Sequence, residues 1–462
     1  MATQGLLLLR SGGRSVCNLF RQSSRRITTN TLRTLPVASL RTESHAVSGA
    51  HGTYGSGIRC QHSQTHETAS TGSSDLVQDV AMSNSNSRLC ITYADGKTYQ
   101  LPYVYLRDNC QCPRCWHPST LSRQVLMMDL DINIKPSHAK VVQDGKGIEI
   151  AWPDGHVSPY PSEFLRERSF SQEAQSRRVD TYGVKHQMWG AEHKDKMRKY
   201  DFLDIINNDR VFLDWLLEME RCGLTMIQNA PREIGQLEQI GARVCFLRRT
   251  NYGDTFVVKS KQDPSNLAYT NKKLGLHCDL PFYNSVPGIQ MLHCVRNTSK
   301  GGENQFADAS FAATQLREKR PDLYKVLTDT LVDFYDMGVD YYKYHKIHRH
   351  PIIKLDYEGN VLGIHYNNQV RDSFLNIPLE KVQPLYEGMK MLDEIMYDPK
   401  NRVDLTLKEG NIVVFDNIRI LHGRNEYQIG KSGERFLEGA YIDWDTVKSR
   451  IRVLREELGV KE

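Results

Sequence analysis

Leu274-Gly-Leu-His277-Cys-Asp279-Leu-Pro-Phe282 is the stretch on which the fold of this 462-residue chain turns. Leu274 to Leu276 reads as the end of a strand, and on a strand residues i and i+2 share a face, so His277 and Asp279 can reach one metal ion. H-x-D alone decides nothing, because a chain with 16 His holds about one by chance. A second copy, His193-Lys-Asp195, falls in the charged run His193 to Tyr200, which reads as a solvated linker. What separates His277 from that copy is its surroundings. Thr255 to Lys259 lies just before it, and Gly288 to Val295, Glu303 to Ala307, Ile352 to Leu355, Val361 to Tyr366 and Asn411 to Phe415 follow, with Gly or Asn turns between them. Helices are expected to open near Asp308 and Pro378 and to close the chain from Asp445 to Leu458. Strands about every 10 residues with a few helical insertions imply a mainly β jelly roll flanked by helices. No G-x-G-x-x-G or G-x-x-x-x-G-K-[ST] is present, so a nucleotide-binding core is not expected.

Further along, Asp416-Asn-Ile-Arg-Ile-Leu-His422-Gly-Arg424 ends another strand, and Arg435 begins Arg435-Phe-Leu-Glu-Gly-Ala-Tyr441. Two His and one carboxylate on a common face leave coordination positions open, the arrangement of non-haem Fe(II) oxygenases. A guanidinium can pair bidentately with the far carboxylate of 2-oxoglutarate. In this order, His277, Asp279, His422 and Arg435 point to an Fe(II)/2-oxoglutarate site. Each taken alone reads as a satisfied core histidine or a surface arginine.

Nearer the N-terminus, Leu106-Arg-Asp-Asn-Cys110-Gln-Cys112-Pro-Arg-Cys115 gathers three of the ten Cys. In a reducing compartment such a cluster reads as thiolate ligands for zinc, one short of a closed tetrahedral site. His117, His138 and His156 are all within reach, and spacing does not choose among them. Gly147-Ile-Glu-Ile-Ala-Trp152 alternates and Pro153-Asp-Gly155 turns it, as in a small β domain. The formal charge of +5 is uneven. Residues 1–42 hold seven Arg, no Lys and no acid, whereas residues 43–462 hold 53 basic and 55 acidic side chains. The body therefore has no basic face for a nucleic acid, and no run approaches the ~18–20 apolar residues of a membrane span. Arg- and Ser/Thr-rich, acid-free composition is that of a mitochondrial transit peptide, the alternative being a basic tail without an address and a cytoplasmic chain. Residues 1–85 are expected to be leader and linker, 86–192 a zinc-binding domain and 193–462 an oxygenase domain.

From about residue 88 to 460 the sequence resembles the carnitine-biosynthesis dioxygenases, the family of gamma-butyrobetaine and trimethyllysine dioxygenases. The likeness is carried by Tyr105 to Cys115, Trp152-Pro-Asp-Gly-His156, Ala268-Tyr-Thr270, His277-Cys-Asp279, Tyr366-Asn-Asn368, Phe415-Asp-Asn417, Leu421-His-Gly-Arg424 and Leu437-Glu-Gly-Ala-Tyr-Ile-Asp-Trp444. The complete cysteine cluster and the Gly-Ala-Tyr-x-Asp-Trp ending resemble the butyrobetaine branch. The resemblance implies a double-stranded β-helix core plus a small zinc domain, with His156 as fourth zinc ligand. It implies His277, Asp279 and His422 on iron, Arg435 with Asn266 at 2-oxoglutarate, and ascorbate as reductant. Tyr252, Tyr269 and Tyr441 would form an aromatic cage for a trimethylammonium group, and Asn367 would hold the substrate carboxylate. Phe256 stands where the family has Trp in the cage, and Leu280 where the butyrobetaine enzyme has Tyr. The implied reaction is hydroxylation of gamma-butyrobetaine at C3 to L-carnitine by a homodimer, with release of succinate and CO2. Rival readings are a trimethyllysine or other trimethylammonium hydroxylase, and an inactive zinc-containing binding protein of the same fold.

Overall fold

The computed structural model describes residues 73–259, 269–428 and 434–460, and these belong to one compact unit. The expected leader through residue 72 lies outside the described residues, as does Asn266. The linker expected through residue 85 stops earlier, because Val77–Ser83 is a strand paired antiparallel with Arg88–Tyr93. Val77 is buried there, an anchor that a solvated linker lacks.

The centre of the molecule is two facing sheets. The larger runs Thr255–Lys259, Arg435–Ile442, Ile289–Asn297, Ile412–Asp416, Leu224–Gln228, Lys199–Asp201, and the smaller Leu274–His277, Ile420–Arg424, Asn304–Asp308, Arg402–Leu405. Period-two alternation sorts their side chains. Leu292, Cys294, Val413, Phe415 and Leu437 from the larger sheet meet Phe306, Val403 and Ile420 from the smaller. The alternate residues Met291, Ile412, Val414, Ala440 and Ile442 face outward under the helices Phe202–Asn207, Asp209–Cys222, Gln236–Val244 and Trp444–Glu457. Leu276, Ala307 and Leu421 do the same beneath Ala309–Lys319, Pro321–Asp329 and Leu379–Tyr397. Each fully buried Leu, Ile or Phe contributes about 1.5–3 kcal/mol, so both faces of both sheets favour this layering.

Local chemistry sets the element ends. Gly223 takes φ 73 to stop the Asp209–Cys222 helix, a conformation an L side chain resists. Asp308 caps the helix Ala309–Lys319 by accepting from the N–H groups of Ser310 and Phe311 and also pairs with buried Arg419 at 2.7 Å. The segment His193 to Tyr200 is not a solvated linker. His193 is buried, stacks on Trp189 at 4.6 Å and contacts the Leu224 carbonyl, and Lys199–Asp201 is the edge strand of the larger sheet. The turn at Lys408 to Asn411 carries the chain from the smaller sheet to the larger. The N-terminal part has its own core, with Leu89, Ile91, Leu101, Ile148, Ile150, Trp152 and Tyr160 packed between two three-stranded sheets. Among the described residues no helix is long and apolar enough to cross a membrane.

Candidate active site

Register brings the predicted triad together. His277, at the end of its strand, is the cross-strand partner of His422, and their rings lie 4.2 Å apart. Asp279 follows two residues later, with Oδ1 3.2 Å from His277 Nε2 and 3.9 Å from His422 Nε2. His277 Nδ1 donates to the Gly275 carbonyl at 2.8 Å, which orients the ring with Nε2 toward Asp279. Burial, then the positive potential of His277, pushes His422 down to about 3, so it is a neutral imidazole at any physiological pH. Burial works against the Asp279 carboxylate, but hydrogen bonds and charge from His277, His422 and Tyr441 hold it well below the usual range. One ligand atom from each residue lies within 4.8 Å of the others, so the donor set fits a single metal ion with N and O ligands.

Two small cavities meet at this triad, sharing Phe256, Val258, His277 and Asp279 in their walls. The first brings together Tyr252, Phe256, Tyr269, Tyr441 and Asn367, all expected at the substrate. Phe256 lies 5.6 Å from Tyr252 and 5.2 Å from Tyr441, stacked on the latter at 24°. Its ring rests directly on Gly439, where any Cβ would stand 2.2 Å from Phe256 Cζ. Burial raises all three tyrosines, Tyr269 to about 12, so they stay neutral rings. The amide of Asn367 donates to the Cys278 carbonyl at 3.1 Å and accepts from the Gln369 N–H at 3.0 Å. Leu280, Phe282, Gln369 and Val370 complete this wall, and Leu280 turns through φ 59.

The second cavity is floored by two buried arginines. Arg424 donates to the carbonyls of Thr270 and Lys272 at 2.8 Å each. Burial and the charge of Arg435 push it down to about 10. Arg435 is 3% exposed and is not ion-paired with any carboxylate among the described residues; Asn304 Oδ1 is 3.5 Å away and the Tyr427 ring 5.3 Å. A buried guanidinium facing a cavity beside a metal-type triad has the charge and geometry to accept an anionic ligand. Sequence reading missed Arg424, Gln290 and Asn304 in this wall. Arg424 had a signal, since it lies two residues beyond His422 on one strand and so shares its face.

Far along the chain from the triad, Cys110, Cys112 and Cys115 converge on His156, which lies just beyond the turn after Gly147–Ala151. Their sulfurs are 3.2, 3.5 and 3.5 Å from His156 Nε2. A tetrahedral ion with bonds of about 2.3 Å to sulfur and 2.0 Å to nitrogen sets that edge at roughly 3.5 Å. Burial pushes Cys110 up to about 12, so an uncharged thiol is its resting form without a cation. His117 and His138 are not in this group.

A facial His/Asp/His set inside a two-sheet core, open to an anion-receiving cavity on one side and an aromatic one on the other, defines the class of non-haem iron oxygenases. The model for the taurine catabolism dioxygenase TauD, TfdA family matches residues 180–441, and that for the gamma-butyrobetaine hydroxylase-like N-terminal region matches 80–166. Gamma-butyrobetaine dioxygenase from Homo sapiens is 36% identical over 80% of this chain and 94% of its own, and that from Pseudomonas sp. (strain AK-1) 32% over the same shares. A mitochondrial trimethyllysine dioxygenase from Bos taurus is 27% identical over 79% of this chain and 85% of its own. The chain belongs to the gamma-butyrobetaine dioxygenase family within the TauD/TfdA dioxygenases and is an Fe(II)- and 2-oxoglutarate-dependent dioxygenase.

Proposed function

We propose that the chain hydroxylates gamma-butyrobetaine at C3 to L-carnitine, with 2-oxoglutarate converted to succinate and CO2. The observation that carries this reading is the shared wall of the two cavities, which puts an aromatic cage and a buried arginine on either side of one His/Asp/His set. His277, Asp279 and His422 hold Fe(II), which when bound supplies the oxidising chemistry. Arg435 receives the far carboxylate of 2-oxoglutarate; a part for Asn266, outside the described residues, rests on the family resemblance alone. A quaternary ammonium has no hydrogen to donate, so aromatic faces are its natural partners, each worth up to ~2 kcal/mol when desolvated. Tyr252, Phe256, Tyr269 and Tyr441 supply those faces. Asn367 takes the substrate carboxylate and so fixes the distance from the cage to C3. Cys110, Cys112, Cys115 and His156 hold a structural zinc in the small N-terminal domain, which includes the Val77–Ser83 strand, beside a double-stranded β-helix core. Ascorbate keeps the iron reduced. A mitochondrial address rests on the arginine-rich residues 1–42 and on the mitochondrial name of the bovine relative, and a homodimer rests on the family resemblance.

The test is incubation of purified protein with Fe(II), ascorbate, 2-oxoglutarate and either gamma-butyrobetaine or trimethyllysine, with succinate and hydroxylated product measured. Coupled product with gamma-butyrobetaine is expected. Product with trimethyllysine alone transfers the reading to that substrate, and no coupled succinate with either overturns it.

A further inference from the structure

Tyr441 does two things at once. Its ring stacks on Phe256 in the aromatic cavity, and its hydroxyl donates to Asp279 Oδ2 at 2.6 Å, the short length of a hydrogen bond to an ionised carboxylate. Asp279 Oδ1 is the oxygen that faces both histidines, so Tyr441 holds the carboxylate by the oxygen turned away from them. The backbone of the same residue is held separately. Asn417, fully buried, accepts from the Asp279 N–H at 2.7 Å and donates to the Asp279 and Pro287 carbonyls at 3.0 Å each. Directly after this clamp the chain enters the left-handed region at Leu280, φ 59, a conformation that costs a non-glycine residue of order 1 kcal/mol and that the surrounding contacts must impose. Asp279 is thus fixed at both ends, its main chain by Asn417 and its carboxylate by Tyr441.

We propose that Tyr441 is a positioning residue for the metal carboxylate as well as a wall of the cage, so that one side chain sets both the substrate cation and the orientation of Asp279. This rests on the reading of Asp279 as a metal ligand. Partners that orient a ligating side chain are worth about 10–100-fold in metal affinity. The two roles reside in different atoms, the ring face and the hydroxyl, and Tyr441→Phe keeps the first while removing the second. Mn(II) is the probe, because a hard cation favours the N/O triad over the thiolate cluster. Binding is followed by the electron paramagnetic resonance signal of free Mn(II).

In Tyr441→Phe the Mn(II) dissociation constant is expected to rise about tenfold, while KM for gamma-butyrobetaine stays within about twofold because the aromatic face remains. Retention of zinc by the cysteine cluster and an unchanged melting curve report an intact fold. Should the variant unfold, Tyr441→His, which can keep a ring N–H donor, is expected to restore folding and Mn(II) affinity toward the parent value. An unchanged Mn(II) constant in Tyr441→Phe, or a raised KM with Mn(II) binding unaltered, overturns the proposal and leaves Tyr441 a cage residue only. Wild-type protein that binds Mn(II) no better than His277→Ala fails at an earlier point, the metal reading of the triad itself.

Discussion

The two candidate metal centres of this chain are built in opposite ways. At the cysteine cluster, three of four ligands are soft thiolates from one six-residue turn, and the ligands close on one another with S···N edges of 3.2 to 3.5 Å. At the triad, ligands 145 residues apart in sequence meet only through the pairing of two strands, and the group opens onto two cavities. A closed set of ligands contributes folding free energy, and an open one keeps positions for reactants. The first reads as a staple and the second as a reaction centre.

The largest expected effect would break this contrast outright. His277→Ala or Asp279→Ala should cut coupled succinate formation at least about a thousandfold, with the melting temperature within about 2 °C of the parent. A variant that hydroxylates normally would put the chemistry elsewhere, and one that unfolds would make the triad a structural element and so erase the contrast. The converse substitution, Cys112→Ser, should release the metal of the cluster and cost about 3–5 kcal/mol in stability. Turnover per folded molecule should be preserved, as checked by denaturant unfolding beside activity on the surviving fraction. Equal loss of activity per folded molecule would mean that the staple also shapes the site.

Metal uptake against pH sharpens the same distinction. Burial raises Cys110 to about 12, so a metal must displace its proton, and affinity at the cluster should climb about tenfold per pH unit for each proton released between pH 6 and 8. Burial lowers His422 to about 3, so it is already neutral across that window and contributes no slope. Competition titrations with Zn(II) for the cluster and Mn(II) for the triad should give a steep and a shallow line respectively. Parallel lines would remove the electrostatic basis of the comparison. Smallest is the effect of cage composition. Phe256→Trp, with a stronger cation-π face, should lower KM for gamma-butyrobetaine by about three- to fivefold, read from initial rates. The close seat of that ring on Gly439 is what could frustrate it, and an unchanged or higher KM would show that the larger indole does not fit there.

Much of the site was legible because its chemistry is written in short, ordered motifs. The H-x-D motif pointed to His277 with Asp279, although the strand ends at His277 and Asp279 lies just beyond it, and the glycine and asparagine turns marked most of the strands around them. Where reading failed, the cause was context. His193-Lys-Asp195 sits in a charged run, yet His193 is buried because Trp189 and the Leu224 carbonyl cover it, contacts that no local window contains. The helix Pro321–Asp329 and the hairpin of Leu331–Val339 with Lys343–Pro351 were not anticipated, since polar and apolar residues mix on the half-exposed hairpin.

The amino-acid sequence by itself determined which donors are available, that the cysteines cluster, that the arginine-rich charge belongs to residues 1–42, and that the folded body is near neutral. These are properties of composition and of neighbours along the chain. His156 as partner of the cysteines was implied by the family resemblance though not by spacing; only the tertiary structure decided that Arg424 lies beside Arg435 and that Tyr441 touches Asp279. The reason is physical. Such contacts depend on strand register and on the packing of two sheets, and both are fixed by apolar residues far from the groups they bring together.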